Sequence, residues 1–133
     1  MKIKHLLLIL AFSAMTLTVK AQLSFSCYYR EVCAWNESKG QYEDECIGHD
    51  EASLFVMNEE ETMFTHTTSS LKTTYYVQES EYDDKNEVWT YDVVSDVGNK
   101  YYFIFDPYAN EIRVLADADD YETMTRFLVK AIF

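Results

Sequence analysis

Cysteines, histidines and a surplus of carboxylates are the residues here whose types and spacing could do chemistry. A serine-type hydrolase would recruit Ser53 or Thr67 with His49 and Asp50, or use His66 in Phe-Thr-His-Thr-Thr. The sequence has no Gly-x-Ser-x-Gly elbow, and no glycine-lined turn offers an oxyanion hole. A thiol enzyme needs a cysteine beside a basic group that depresses its pKa. Arg30 lies three residues from both Cys27 and Cys33, which on a regular strand turns it to the opposite face from each. Paired carboxylates could serve a glycosidase, but among 23 acidic residues such pairs carry little information. Two acidic stretches have oxygen ligands at short spacing: Asp83-Asp84-Lys85-Asn86-Glu87, and the stretch from Asp117 through Asp119 and Asp120 to Glu122. Neither has the glycine of an EF-hand loop, so the first reads as a hairpin loop and the second as a helix cap. Zinc would need a His/Cys cluster that the sequence lacks. The expectation is no catalytic residue, no cofactor and no metal.

The cysteines point to a covalent rather than a catalytic role. Met-Lys-Ile-Lys-His opens the chain as a basic segment, an apolar run extends from Leu6 to Val19, and Val19-Lys20-Ala21 fits a cleavage signal. Residues 1–21 thus read as a secretory signal peptide. The run is broken by Ser13, Thr16 and Thr18 and is too short for a bilayer core of about 20 apolar residues. Ser24-Phe25-Ser26 before Cys27 makes a poor lipobox. The mature chain, 22–133, is expected to be one β-rich domain, secreted or periplasmic, with no membrane attachment after cleavage. An oxidising compartment favours a disulfide. A two-residue turn at Lys39-Gly40 sets Cys33 opposite Cys46 in a non-hydrogen-bonded pair, where side chains lie closest. Cys27 and Cys33, six residues apart on one strand, are too distant to bridge. The spacing therefore favours Cys33–Cys46 over Cys27–Cys46 and leaves Cys27 as the unpaired thiol.

Removing the signal takes Lys2, Lys4 and Lys20 and no acid, so the net charge falls from −12 to −15. Such acidity excludes nucleic acid, whose recognition rests on Lys and Arg neutralising phosphates. It leaves a basic protein as a possible partner, while carboxylates on solvent-facing strands also keep a β protein soluble.

The elements that position these groups read as short β-rich runs between polar turns. They span Ser24 to Asn36, Tyr42 to Ile47, Ser53 to Met57, Thr62 to Thr68, Leu71 to Tyr82, Glu87 to Val97, Lys100 to Asp106 and Glu111 to Leu115. Gly98-Asn99 suggests a type II′ turn, which pairs Val93 with Ile104 and Val94 with Phe103. Asp106-Pro107-Tyr108-Ala109 suggests a type I turn. Beyond Asp119 the pattern changes. Tyr121, Met124, Phe127, Leu128, Ala131 and Ile132 recur at helical spacing, with Asp119 and Glu122 as a capping box. The expected fold is mainly β: an antiparallel meander of about eight strands forming a small barrel or curved sheet, with a C-terminal amphipathic helix docked on it. In element order it is similar to small lipocalin-like and pleckstrin-homology-like barrels, an architectural likeness only.

Twenty aromatic residues remain after the signal, with doublets at Tyr28-Tyr29, Tyr75-Tyr76 and Tyr101-Tyr102. On a strand each doublet sends one ring inward and one outward. Two functions follow as expectations. The first is a non-enzymatic binding module whose outward rings and acidic surface meet a protein, for instance a basic one. The second is a lipocalin-like barrel that encloses a small apolar or sugar ligand.

Overall fold

The computed structural model describes residues 22–116 and 122–133. The signal segment 1–21 and the helix cap at Asp119 and Asp120 lie outside the described residues. Nine strands appear: β1 (Leu23–Asn36), β2 (Gln41–Tyr42), β3 (Ile47–Met57), β4 (Met63–Thr67), β5 (Lys72–Asp83), β6 (Val88–Ser95), β7 (Lys100–Asp106), β8 (Glu111–Leu115) and β9 (Thr123–Ile132). Each of β3 to β9 pairs antiparallel with its sequence neighbour, and β1 pairs with both β3 and β9. Eight strands therefore close into an up-and-down barrel, and β2 is an extra strand on β1. Closure leaves the barrel itself no free edge.

The C-terminal helix is a correction: residues 123–132 are strand β9. The spacing of Met124, Phe127 and Leu128 fits a helix face, but it also fits a strand with both faces covered. Phe127 and Val129 enter the core, while Met124 is buried on the outer side, where β9 pairs it with Cys33. Two open edges, β1 and β8, decide the matter. A strand between them satisfies the backbone of both, which a helix cannot do. Among the described residues there is no helix, and hence none long and apolar enough to cross a membrane.

Both hairpin registers also depart from expectation. Between β6 and β7 the loop has three residues, not two. Ser95 N–H donates to Asn99 O at 2.8 Å, Gly98 N–H donates to Ser95 O at 2.9 Å, and Gly98 has φ +88°. Glycine thus supplies the left-handed position that ends a three-residue loop. Val93 faces Tyr101, and Val94 faces Lys100. In the first hairpin Asn36 pairs with Gln41 across a four-residue loop ending in Gly40, at φ +63°. The two residues lost there are recovered in 43–46, and β3 resumes the expected register at Val32–Ile47. Cys33 and Cys46 consequently stand opposite, joined by a disulfide with Cα atoms 4.6 Å apart.

Alternation along each strand fills the lumen. Phe25, Phe55, Met57, Phe64, Tyr91, Phe105, Ile112 and Val129 pack its lower part, near the chain ends and the β3–β4, β5–β6 and β7–β8 loops, and Val93 is buried higher up, opposite Tyr101. Phe55 is fully buried at the centre. Its ring meets Phe127 at 5.1 Å and Phe105 at 6.1 Å edge-to-face, the arrangement that aromatic quadrupoles prefer. An eight-stranded barrel is just wide enough to be filled by side chains or to hold one small ligand. The filling stops at the level of Phe103 and Phe127.

Candidate functional site

Above those rings a cavity of about 290 Å³ opens at the other end of the barrel, beneath the β4–β5 and β6–β7 loops. Phe103, Phe127, Tyr75 and Val114 form its apolar surface, Tyr75 and Tyr101 bring hydroxyls, and Thr68, Ser70, Thr73 and Thr125 complete the polar wall. Arg30, Glu51 and His66 line the same space from β1, β3 and β4. Its volume sits at the lower edge of the range for small-ligand sites.

Arg30 reaches the lumen through an irregularity of β1. Pairing with both neighbours shifts register between Cys27 and Tyr29, the mark of a β-bulge. A bulge inserts one residue and inverts the alternation beyond it. Cys27 and Arg30, three apart, therefore share the inner face, against the expectation from regular spacing. The guanidinium lies 5.6 Å from the centre of the Phe127 ring, within cation–π reach. Among the described residues no carboxylate comes within 4.0 Å of it.

Glu51 and His66 are each left with an unused polar atom. Glu51 Oε2 accepts a hydrogen bond from His49 Nε2 at 3.2 Å, the ring nitrogen donating because a carboxylate only accepts. Among the described residues Glu51 Oε1, which is buried, has no hydrogen-bond partner, and neither has His66 Nε2. The His66 ring is stacked on Phe55 at 4.0 Å with 6° between planes and meets the edge of Phe127 at 4.9 Å. Burial drives its pKa down to about 4; nearby Glu51 opposes this and Arg30 adds to it. His66 is thus a neutral imidazole at neutral pH, able to donate or accept. Burial raises the Tyr75 pKa, aided by Tyr101 and Asp96, which keeps its hydroxyl protonated. Buried polar atoms in native proteins normally find partners; of the three that do not among the described residues, two belong to side chains lining this one cavity, and the third is Ser53 Oγ.

The other sequence candidates are dispersed. Ser53 is buried inside the barrel opposite Cys27, with His49 two alternations above it at the rim, 64% exposed, and Asp50 turned to the outer face. Strand alternation thus separates the adjacent Ser, His and Asp that a hydrolase would need together. Thr67 likewise follows His66 onto the opposite face of β4. Cys27 is free and buried, and burial pushes its thiol up to about 11. The Ser53 hydroxyl pulls the other way without reaching the geometry of a formed hydrogen bond. Asp83 accepts from the backbone of Lys85 and Asn86 and from the Asn86 amide, so its carboxylate is spent on the β5–β6 turn and its pKa is lowered by those bonds. Glu31, Cys33 and Cys46 form the tight group of potential metal donors among the described residues, but the disulfide takes both sulfurs.

The tyrosine doublets divide as expected at two of three places. Tyr75 and Tyr101 line the cavity, while Tyr76 and Tyr102 point out. Tyr28-Tyr29 falls on the bulge: Tyr28 is half-exposed, and the Tyr29 ring covers Gly48, where any Cβ would meet it at 2.6 Å. No family model matches this chain, and neither a curated protein nor a solved structure does.

Proposed function

We propose that this protein is a small non-enzymatic binding module that takes a small molecule in the open end of its barrel. The observation that carries this reading is the half-filled lumen. Aromatic packing stops midway, and the remaining cavity of about 290 Å³ is lined by Arg30, Glu51 and His66, with two buried polar atoms unused. Such a wall over an apolar floor is the usual composition of a small-ligand site. A fully packed eight-stranded barrel would have no such space. The Cys33–Cys46 disulfide agrees with an oxidising, secreted or periplasmic setting.

The test is an NMR fragment screen on the isotope-labelled protein. Binders should shift the amides of Thr73, Tyr101 and Thr125, and Thr125→Phe, which fills the cavity, should abolish those shifts. Fragments that perturb only the outer wall, or none at all, would overturn the proposal.

The net charge supports a second reading, a basic protein partner on the outer wall. Glu79, Glu81 and Asp92 surround a shallow outer groove with Tyr102. Association with a cationic protein should then weaken steeply with salt; salt-independent binding would remove this reading.

A further inference from the structure

The cavity carries both signs of charge, and they do not meet. Arg30 and Glu51 line one small space, yet no ion pair joins them; among the described residues Arg30 has no carboxylate within 4.0 Å, and Glu51 has His49 alone. Opposite charges that share one partly enclosed cavity gain by pairing, since both are partly withdrawn from water. Each is instead fixed separately. Arg30 lies over the Phe127 ring, and Glu51 is held through one oxygen by His49, which leaves Oε1 buried and unused. Phe103, Tyr75 and His66, whose Nε2 is buried without a partner among the described residues, line the same cavity.

This arrangement selects a ligand class. A simple anion could pair with Arg30 but would face Glu51 inside a chain of net charge −12. A simple cation could pair with Glu51 but would face Arg30. An uncharged apolar molecule would strand Glu51 Oε1 and His66 Nε2. Resting on the small-ligand reading above, we infer that the site takes a small zwitterion with an apolar body, an aromatic or large aliphatic amino acid in free form. Its carboxylate would meet Arg30, its ammonium the Glu51 carboxylate, and its side chain the rings.

Calorimetric titration with L-phenylalanine, 2-phenylethylamine and 3-phenylpropanoate separates the possibilities, because these share the ring and differ only in their charged groups. L-phenylalanine should bind, and each one-charge analogue should bind roughly tenfold or more weakly, as expected for loss of a charge-assisted hydrogen bond. Arg30→Met should erase the preference for L-phenylalanine over the amine, and Glu51→Gln the preference over the acid. Analogues that match L-phenylalanine in the native protein overturn the zwitterion, and this comparison does not depend on any variant folding. If none of the three binds while fragments still shift the cavity amides, the zwitterion falls and the small-ligand reading stands. If nothing shifts those amides, both fall.

Discussion

The two halves of this barrel lumen are built on opposite rules. The lower half is a packed aromatic cluster: Phe105 meets Phe55 and Phe64 edge-to-face at 6.1 and 5.3 Å, and Phe55 and Phe64 lie tilted to each other at 6.3 Å. The upper half keeps a cation, a carboxylate and a neutral imidazole around open space, and two of their atoms have no hydrogen-bond partner among the described residues. Maximal stability would ask for the first arrangement throughout. Open space, both signs of charge and two of the three unpartnered buried side-chain atoms among the described residues gather in this half, and giving up stability in one region is the usual signature of a functional site.

Removing a ring from the lower half should break it. Phe55→Ala is expected to cost about 3–5 kcal/mol, read as a fall in the urea midpoint, whereas a loss below about 1 kcal/mol would mean the cluster is not the source of stability. The disulfide holds the hairpin that carries Arg30 and Glu51, so its effect reports on the upper rim. Replacing Cys33 and Cys46 together by Ala should cost about 3 kcal/mol for a short loop, and it should broaden the NMR signals of the cavity more than those of the lower core.

The third effect comes from His66. Its folded pKa lies near 4 against 6.5 for the free residue, so the unfolded chain takes up the proton first as the pH falls. The stability from keeping it neutral is complete above pH 6.5 and is lost on descent toward pH 4. About 2 kcal/mol should disappear between pH 7 and pH 5, and His66→Gln should flatten that part of the profile. An unchanged slope in the variant would show that His66 is not the titrating group.

Glu51→Gln should do least to stability. Because Oε1 is already unpartnered, neutralising the group should leave the melting temperature unchanged or slightly raised, within about 1 kcal/mol. A loss comparable to that of Phe55→Ala would make Glu51 structural and erase the contrast between the halves. Cys27 supplies a control from the packed half. With its thiol pKa near 11 and its side chain buried, it should resist iodoacetamide at pH 8 in the folded protein and react after denaturation.

Much of the architecture can be read in the residues. Turn chemistry at Gly40, Asp83–Asn86, Gly98 and Pro107 marks four hairpins, and the Cys33–Cys46 spacing marks a cross-strand pair. The errors arise where local patterns are ambiguous. Gly98 fits both a two-residue and a three-residue turn, and choosing the shorter displaces the β6–β7 register by three. Met124, Phe127 and Leu128 fit both a helix face and a strand covered on both sides.

The candidate site was less legible for a related reason. Sequence singles out His66 and Glu51 only as a histidine among threonines and one acid among many, and it turns Arg30 away from the inner face. A bulge between Cys27 and Tyr29 reverses that, and no residue in the segment announces it. The sequence by itself determines alternation, turns, the cysteine pair and the acidity, because each depends on residues near one another in the chain. Closure of β1 on β9, the inward turn of Arg30, and the meeting of Arg30, Glu51 and His66 around one cavity are decided only by the tertiary structure. They depend on how eight strands share backbone hydrogen bonds around a ring, and no local pattern encodes that.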